Sequence, residues 1–190
     1  MLSRLVSFDT TSRDSNLELI SFVEDYARSY GLAPRRIPNP EGTKANLLIS
    51  IGPQEPGGII LSGHTDVVPV DGQPWDSDPF NMIERDGKYF GRGTSDMKAF
   101  SAVILSLLPQ LTRQPLKTPV HIALSYDEEV GCLGVRPMIA DGLRKNSRTF
   151  SLRAFFFSDD DLRSVPGSGG TAGISSSMTP ITGLPSARAD

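Results

Sequence analysis

The chain of 190 residues predicts an α/β fold: a three-layer sandwich around a mixed, partly parallel sheet, incomplete on its C-terminal side and ending in an irregular tail. Three observations predict it. Stretches with helical and strand character follow one another in the order helix, strand, strand, helix, strand, helix. Segments rich in Gly, Pro and Asp separate them. The length suits one α/β core and is too short for two full domains.

Taken in order, Leu17, Ile20, Phe22, Val23, Tyr26 and Ala27 recur at helical spacing after the polar start Ser12 to Asn16, and Gly31 stops the helix. Asn46 to Ile51 and Gly58 to Ser62 are apolar β-rich runs, joined by a turn-rich loop; the second delivers Gly63 and His64 at its end. Val67 to Asp96 is mostly loop, with a hairpin expected around Arg85, Asp86 and Gly87. Met97 to Leu108 is apolar almost all round, which predicts a buried helix ending near Pro109. Val120 to Ser125 predicts another buried strand, and Gly131 to Leu143 a last helix. From Asn146 onward Ser, Gly, Thr and Pro dominate and no periodicity persists, so no packed element is expected there; Pro166 to Asp190 has the composition of a flexible tail.

A formal charge of −3 and scattered Lys and Arg give no basic footprint for nucleic acid or an anionic membrane, so a small-molecule partner is expected. No apolar run reaches the ~18 residues of a membrane span, and the first residues lack the pattern of a signal peptide, which makes the cytoplasm the expected location. The single cysteine, Cys132, cannot form an internal disulfide; its acidic neighbours disfavour a thiolate, and it is expected to be buried and inert.

Three clusters carry the chemistry: Gly63-His64-Thr65-Asp66, Gly93-Thr94-Ser95-Asp96-Met97-Lys98, and Asp127-Glu128-Glu129. Each falls at a strand end or a strand-to-helix turn, where ligand groups converge in open α/β sheets. Taken singly, each has an ordinary explanation: a core histidine, a helix N-cap, a solvated acidic pair. Together they fit a zinc site. Zinc accepts imidazole nitrogen and carboxylate oxygen, and a His-x-Asp step lets Asp66 hold the other ring nitrogen of His64. Two metals close together need a bridging carboxylate, a place suited to Asp96. Adjacent Glu128 and Glu129 cannot easily serve one metal, which favours Glu129 as ligand and Glu128 as general base.

The strings LSGHTDVVPVDGQPWDSDPF, YFGRGTSDMKAF and ALSYDEEVGCLGVR resemble the dinuclear zinc amidohydrolases and peptidases, most closely those of acetylornithine deacetylase type. The resemblance runs from Phe8 to about Asp141. It implies the zinc-peptidase catalytic fold, with zinc held by His64, Asp96 and Glu129, Asp96 bridging two ions, Glu128 as base, and Asp66 supporting His64. It further implies a cis peptide after Asp96, possible substitution of zinc by cobalt, and homodimers among intact relatives. The implied reaction is hydrolysis of an N-acyl amino-acid amide, above all deacetylation of N-acetylornithine in arginine biosynthesis, with activity expected to be impaired in this truncated chain. Succinyl-diaminopimelate desuccinylase, a dipeptidase-type relative and an inactive metal-binding remnant are the alternatives.

The chain departs from the family pattern in its later part. Where the family carries a further acidic ligand in a Gly-Glu-Pro-Thr-like step, this chain has Ser158 to Asp161, with Asp159 as candidate substitute. No histidine follows His121, which lies in a predicted strand and is expected to be buried and structural. Thr179 to Asp190 faintly echoes the entry into the family's lid domain but lacks its histidine. The expectation is a truncated or frame-damaged product: residues 1–145 as the N-terminal part of the catalytic domain, and 146–190 as an irregular or disordered tail.

Overall fold

A computed structural model describes residues 1–140 and the backbone of residues 147–151. In chain order it contains α1 (Leu2–Val6), α2 (Leu17–Ser29), β1 (Arg35–Pro38), β2 (Ala45–Ile51), β3 (Gly58–His64), β4 (Ile83–Arg85), β5 (Lys88–Phe90), α3 (Lys98–Ser106), α4 (Leu108–Leu111), β6 (Val120–Ser125), α5 (Val135–Ala140) and β7 (Ser147–Ser151). The main sheet has the order β1-β2-β6-β3-β7, with β1–β2 and β2–β6 antiparallel and β6–β3 and β3–β7 parallel. That is the mixed, partly parallel sheet expected.

Helices cover both faces. On one, Leu19, Ile20, Val23 and Ala27 of α2 and Phe100, Ile104 and Leu105 of α3 pack with Leu47, Ile49, Ile122 and Leu124 of the sheet into one apolar cluster. Burying each large side chain of this kind stabilises the fold by about 1.5–3 kcal/mol relative to exposure. On the other face Met138 of α5 packs on Ile60 and Ala123. The alternating inward residues of β2 and β6 therefore serve two cores, which is what makes the sandwich three layers deep.

The register of β3 against β6 positions the site. Gly63 lies opposite Leu124 and His64 opposite Ser125, so the two parallel strands end level. The turns that leave them, Thr65–Asp66 and Tyr126–Glu129, are brought side by side, joined by Thr65 N–H donating to the Ser125 carbonyl at 2.8 Å.

Several elements differ from expectation. The short α1 and the edge strand β1 are additional; β1 is polar and ends in Pro38, features that keep an exposed edge from pairing further. The apolar run expected as one helix is interrupted at Leu107, and Pro109 falls in the first turn of α4. The helix expected from Gly131 starts at Val135, because Gly131 and Cys132 adopt left-handed backbone with φ of 112° and 55°; residues 141–143 of that expectation lie outside the described residues. Past Asn146, where no packed element was expected, Ser147–Ser151 pairs parallel to β3. The β4–β5 hairpin is found, with Asp86 and Gly87 both at positive φ as a two-residue turn of this hand requires.

Candidate metal centre

His64 closes β3 and is buried. Its Nδ1 lies 2.9 Å from the Asp66 carbonyl oxygen. A carbonyl only accepts, so Nδ1 carries a proton and Nε2 is the nitrogen available to a ligand. Nε2 faces Asp96 Oδ1 at 3.1 Å and Glu128 Oε2 at 3.6 Å. Burial pushes the imidazole pKa down, but the carboxylates of Asp66 and Glu128 outweigh it and raise the value to about 9.

Asp66 does more than support the ring. Its carboxylate stands 3.5 Å from Nδ1, so the hold on His64 expected of the side chain is shared with its own backbone carbonyl. A two-residue step along an extended chain places that carbonyl nearer the ring. The carboxylate reaches across to the neighbouring turn, where it accepts from the backbone N–H groups of Glu128 at 3.0 Å and Glu129 at 3.1 Å, and from Ser12 Oγ at 2.7 Å. Burial raises the Asp66 pKa, and His64, Ser12 and the Glu128 N–H together bring it below the usual carboxylate value.

Glu128 and Glu129 follow Asp127, which turns the chain with φ of 52°. One ligand atom each from His64, Glu128 and Glu129 lies within 4.8 Å of the others. Asp96 joins them from the turn before α3, with a cis peptide between Asp96 and Met97 as the resemblance implied, and with a side chain 56% exposed. At Glu129, burial raises the pKa; His64 opposes the rise while Asp96, Glu128 and Asp66 add to it. Three carboxylates crowded on one imidazole, one of them held back from ionising, form a nitrogen and oxygen donor set that a divalent cation would relieve. Both glutamates reach His64, so distance alone does not divide ligand from base.

With this geometry in place, the comparisons with known proteins become specific. The model of peptidase family M20/M25/M40 matches residues 60–164, more than half of the chain. The chain belongs to that family. Acetylornithine deacetylase of Shigella sonnei (strain Ss046) is 44% identical over 124 residues, covering 64% of this chain and 32% of that protein. The enzyme of the same name from Pasteurella multocida (strain Pm70) is 42% identical over 135 residues, covering 70% and 35%. The chain thus spans about a third of the length of the curated relatives it matches. Among solved structures, human carnosine dipeptidase 1 superposes with a TM-score of 0.68 at 19% identity, covering 79% of this chain and 37% of that one. An M20 family metallo-carboxypeptidase from Sulfolobus solfataricus gives 0.64 at 18%, covering 79% and 36%. These two likenesses show that the fold is that of the M20 peptidase domain.

The M20 chain brings together all five residues singled out in sequence, and around them stand others to which sequence reading gave no role. Asn16 donates to the Ala45 carbonyl at 2.8 Å and to Thr65 Oγ1 at 2.9 Å. Asn46 accepts from Tyr126 N–H at 3.2 Å and donates to the Gly134 carbonyl at 2.7 Å, fixing the loop after β6 from both ends. Gly134 cannot be larger, since a Cβ there would lie 2.1 Å from the Tyr126 carbonyl oxygen. Lys98 is fully buried beneath the Asp96 turn and donates to the Phe8 carbonyl at 2.7 Å; burial lowers its pKa to about 8 against the pull of Asp9 and Asp66. The only sequence signal for these was polarity inside otherwise apolar or strand-forming runs.

Two expectations are corrected. Cys132 is exposed rather than buried, because the left-handed turn carries it outward; its Sγ lies 3.5 Å from Glu128 Oε1. His121 is structural as expected but half-buried, with Nδ1 2.9 Å from Ser50 Oγ and Nε2 3.1 Å from the Gly57 carbonyl. Asp159, the Thr179 to Asp190 echo and the tail expected from Pro166 lie outside the described residues. Among the described residues no helix is long and apolar enough to cross a membrane.

Proposed function

We propose that this chain carries the metal-dependent centre of an amidohydrolase that cleaves the amide of an N-acyl amino acid, with N-acetylornithine as the leading substrate. The observation that carries the proposal is the convergence of His64, Asp96, Glu128 and Glu129 at the level ends of β3 and β6, in a chain 44% identical to a curated acetylornithine deacetylase over the matched region. The donors suit zinc, with cobalt as substitute: His64 through Nε2, Asp96 and Glu129 would hold it.

Divalent metal bound there would supply Lewis acidity, acidifying water and polarising the acyl carbonyl. The chain's own residues do the rest. Glu128 takes the proton from the attacking water and passes it to the amide nitrogen as the C–N bond breaks, so that a carboxylate and a free amine leave. Asp66 keeps Nδ1 of His64 protonated and Nε2 directed to the centre, and holds the backbone of both glutamates in place. We place the reaction in the cytoplasm, on a small-molecule substrate.

The test is metal content and amine release by the full chain, with N-acetylornithine, N-succinyl-diaminopimelate and a β-alanyl dipeptide in parallel. Metal-dependent release of ornithine is expected, at an impaired rate. Preference for either other substrate reassigns the specificity. Bound metal with no turnover of any of the three reduces the chain to a metal-binding module, and no bound metal ends the proposal.

A further inference from the structure

We propose that Lys44 is a positioning residue for this centre, locking the turn that presents Glu128 and Glu129. The inference rests on the metal-centre reading above. Lys44 lies just before β2, far from the site in sequence. The antiparallel register of β2 on β6 sets Leu47 opposite Leu124 and Leu48 opposite Ala123. Continued three residues toward the start of β2, the same register brings Lys44 opposite Asp127, at the mouth of the site.

The contact is made. Lys44 Nζ stands 2.5 Å from Asp127 Oδ1, with side chains only 14% and 16% exposed, and also donates to the Ser12 carbonyl. Ser12 in turn gives its hydroxyl to Asp66 Oδ2, and Asp66 accepts the N–H groups of Glu128 and Glu129. The ring therefore closes: Lys44 to Asp127, along the backbone to the two glutamates, to Asp66, to Ser12, and back to Lys44. The ammonium joins the two arms at one end, Asp127 and Ser12, as the Asp66 carboxylate joins them at the other. An exposed ion pair would contribute little, but a shielded ammonium shared by a carboxylate and a carbonyl makes charge-assisted bonds that reinforce their neighbours. Asp127 has reason to need this, since it holds left-handed backbone without being glycine. Donor groups of a metal centre lose function when displaced by a fraction of an ångström, and the ring fixes the backbone from which both carboxylates spring.

The experiment uses the full chain and two readouts. Amide hydrogen exchange at Glu128 and Glu129, followed by NMR without metal, reports the turn itself; cobalt titration, followed by its visible absorption, reports the centre. Lys44→Met keeps the stem and removes the charge. It is expected to speed exchange of the Glu128 and Glu129 amides ~10-fold, leave those of Ile122 and Leu124 unchanged, and weaken cobalt binding ~10–100-fold, as loss of a group supporting metal ligands does. Lys44→Arg should restore most of both, and a purely space-filling role would not predict that rescue. Should Lys44→Met fail to fold, Asp127→Asn carries the same readouts. Unchanged exchange at Glu128 and Glu129, or equal acceleration at Ile122 and Leu124, overturns the proposal. A wild-type chain that takes up no cobalt overturns the metal-centre reading instead, and the exchange measurement still decides the role of Lys44.

Discussion

The two sides of the candidate centre are built in opposite ways. On one, Asp66, Glu128 and Glu129 rise from level strand ends and are cross-braced: the Asp66 carboxylate is buried and accepts three hydrogen bonds, two of them from the backbone of the glutamates. On the other, Asp96 comes from a turn ahead of α3, with a side chain more than half exposed and a 3.1 Å contact to His64. The difference teaches that the braced side is paid for by folding, whereas the Asp96 side depends on what it binds. Stability and metal affinity should therefore separate by residue.

The largest expected effect falls on chemistry. Glu128→Gln keeps shape and hydrogen-bonding capacity but cannot take a proton, so turnover in an active, metal-loaded form should fall about 10²–10⁴-fold with metal content retained. Steady-state hydrolysis beside metal analysis checks it, and a fully active variant would transfer the base role elsewhere.

Asp66→Ala should cost about 3–5 kcal/mol of stability in the metal-free chain, because it strands the buried N–H groups of Glu128 and Glu129 and leaves His64 without its counter-charge. Urea denaturation measures this; a loss under ~1 kcal/mol would show that the bracing is ornamental.

The pH dependence follows from His64. Its folded pKa, about 9, lies above the ordinary 6.5, so the stability it contributes is fully present below about pH 6.5 and is lost as pH rises through 9. Lys98 acts with the opposite sign: its folded pKa of about 8 lies below 10.5, so the penalty on its buried charge is relieved above pH 8. Metal-free stability should therefore decline by about 2 kcal/mol between pH 6.5 and 8, stay level to about pH 9, where the two effects cancel, and rise again as Lys98 alone contributes. Denaturation midpoints across that range would expose a flat profile, which would contradict the charged His64.

The smallest effect on folding belongs to the exposed side. Asp96→Ala should change metal-free stability by no more than about 0.5 kcal/mol, as surface substitutions do, while weakening cobalt binding. If it destabilised the chain as much as Asp66→Ala, the contrast between the two sides would collapse.

Much of this was legible in sequence. The helical spacing of Leu17 to Ala27 and the apolar runs at β2, β3 and β6 are local signals, and local physics honours them. The imidazole and the carboxylates stood out because His, Asp and Glu at strand ends have chemistry of their own. Less visible were β1, a short polar edge, and the start of α5, displaced by two left-handed residues that periodicity does not register. Cys132 was misplaced for the same reason: its exposure depends on the sense of one turn.

By itself, then, the sequence determined the central elements α2, β2, β3, α3 and β6, their order, and the residue types able to bind a metal and move a proton, since these depend on side-chain chemistry and on periodicity along the chain. Only the tertiary structure decided that Asp66 would hold the glutamates by their backbone, that its own carbonyl would orient His64, and that Lys44 would stand opposite Asp127. Those contacts join residues 54 to 83 positions apart or turn on one backbone step, and they follow from strand register and turn geometry, which no single stretch of sequence contains.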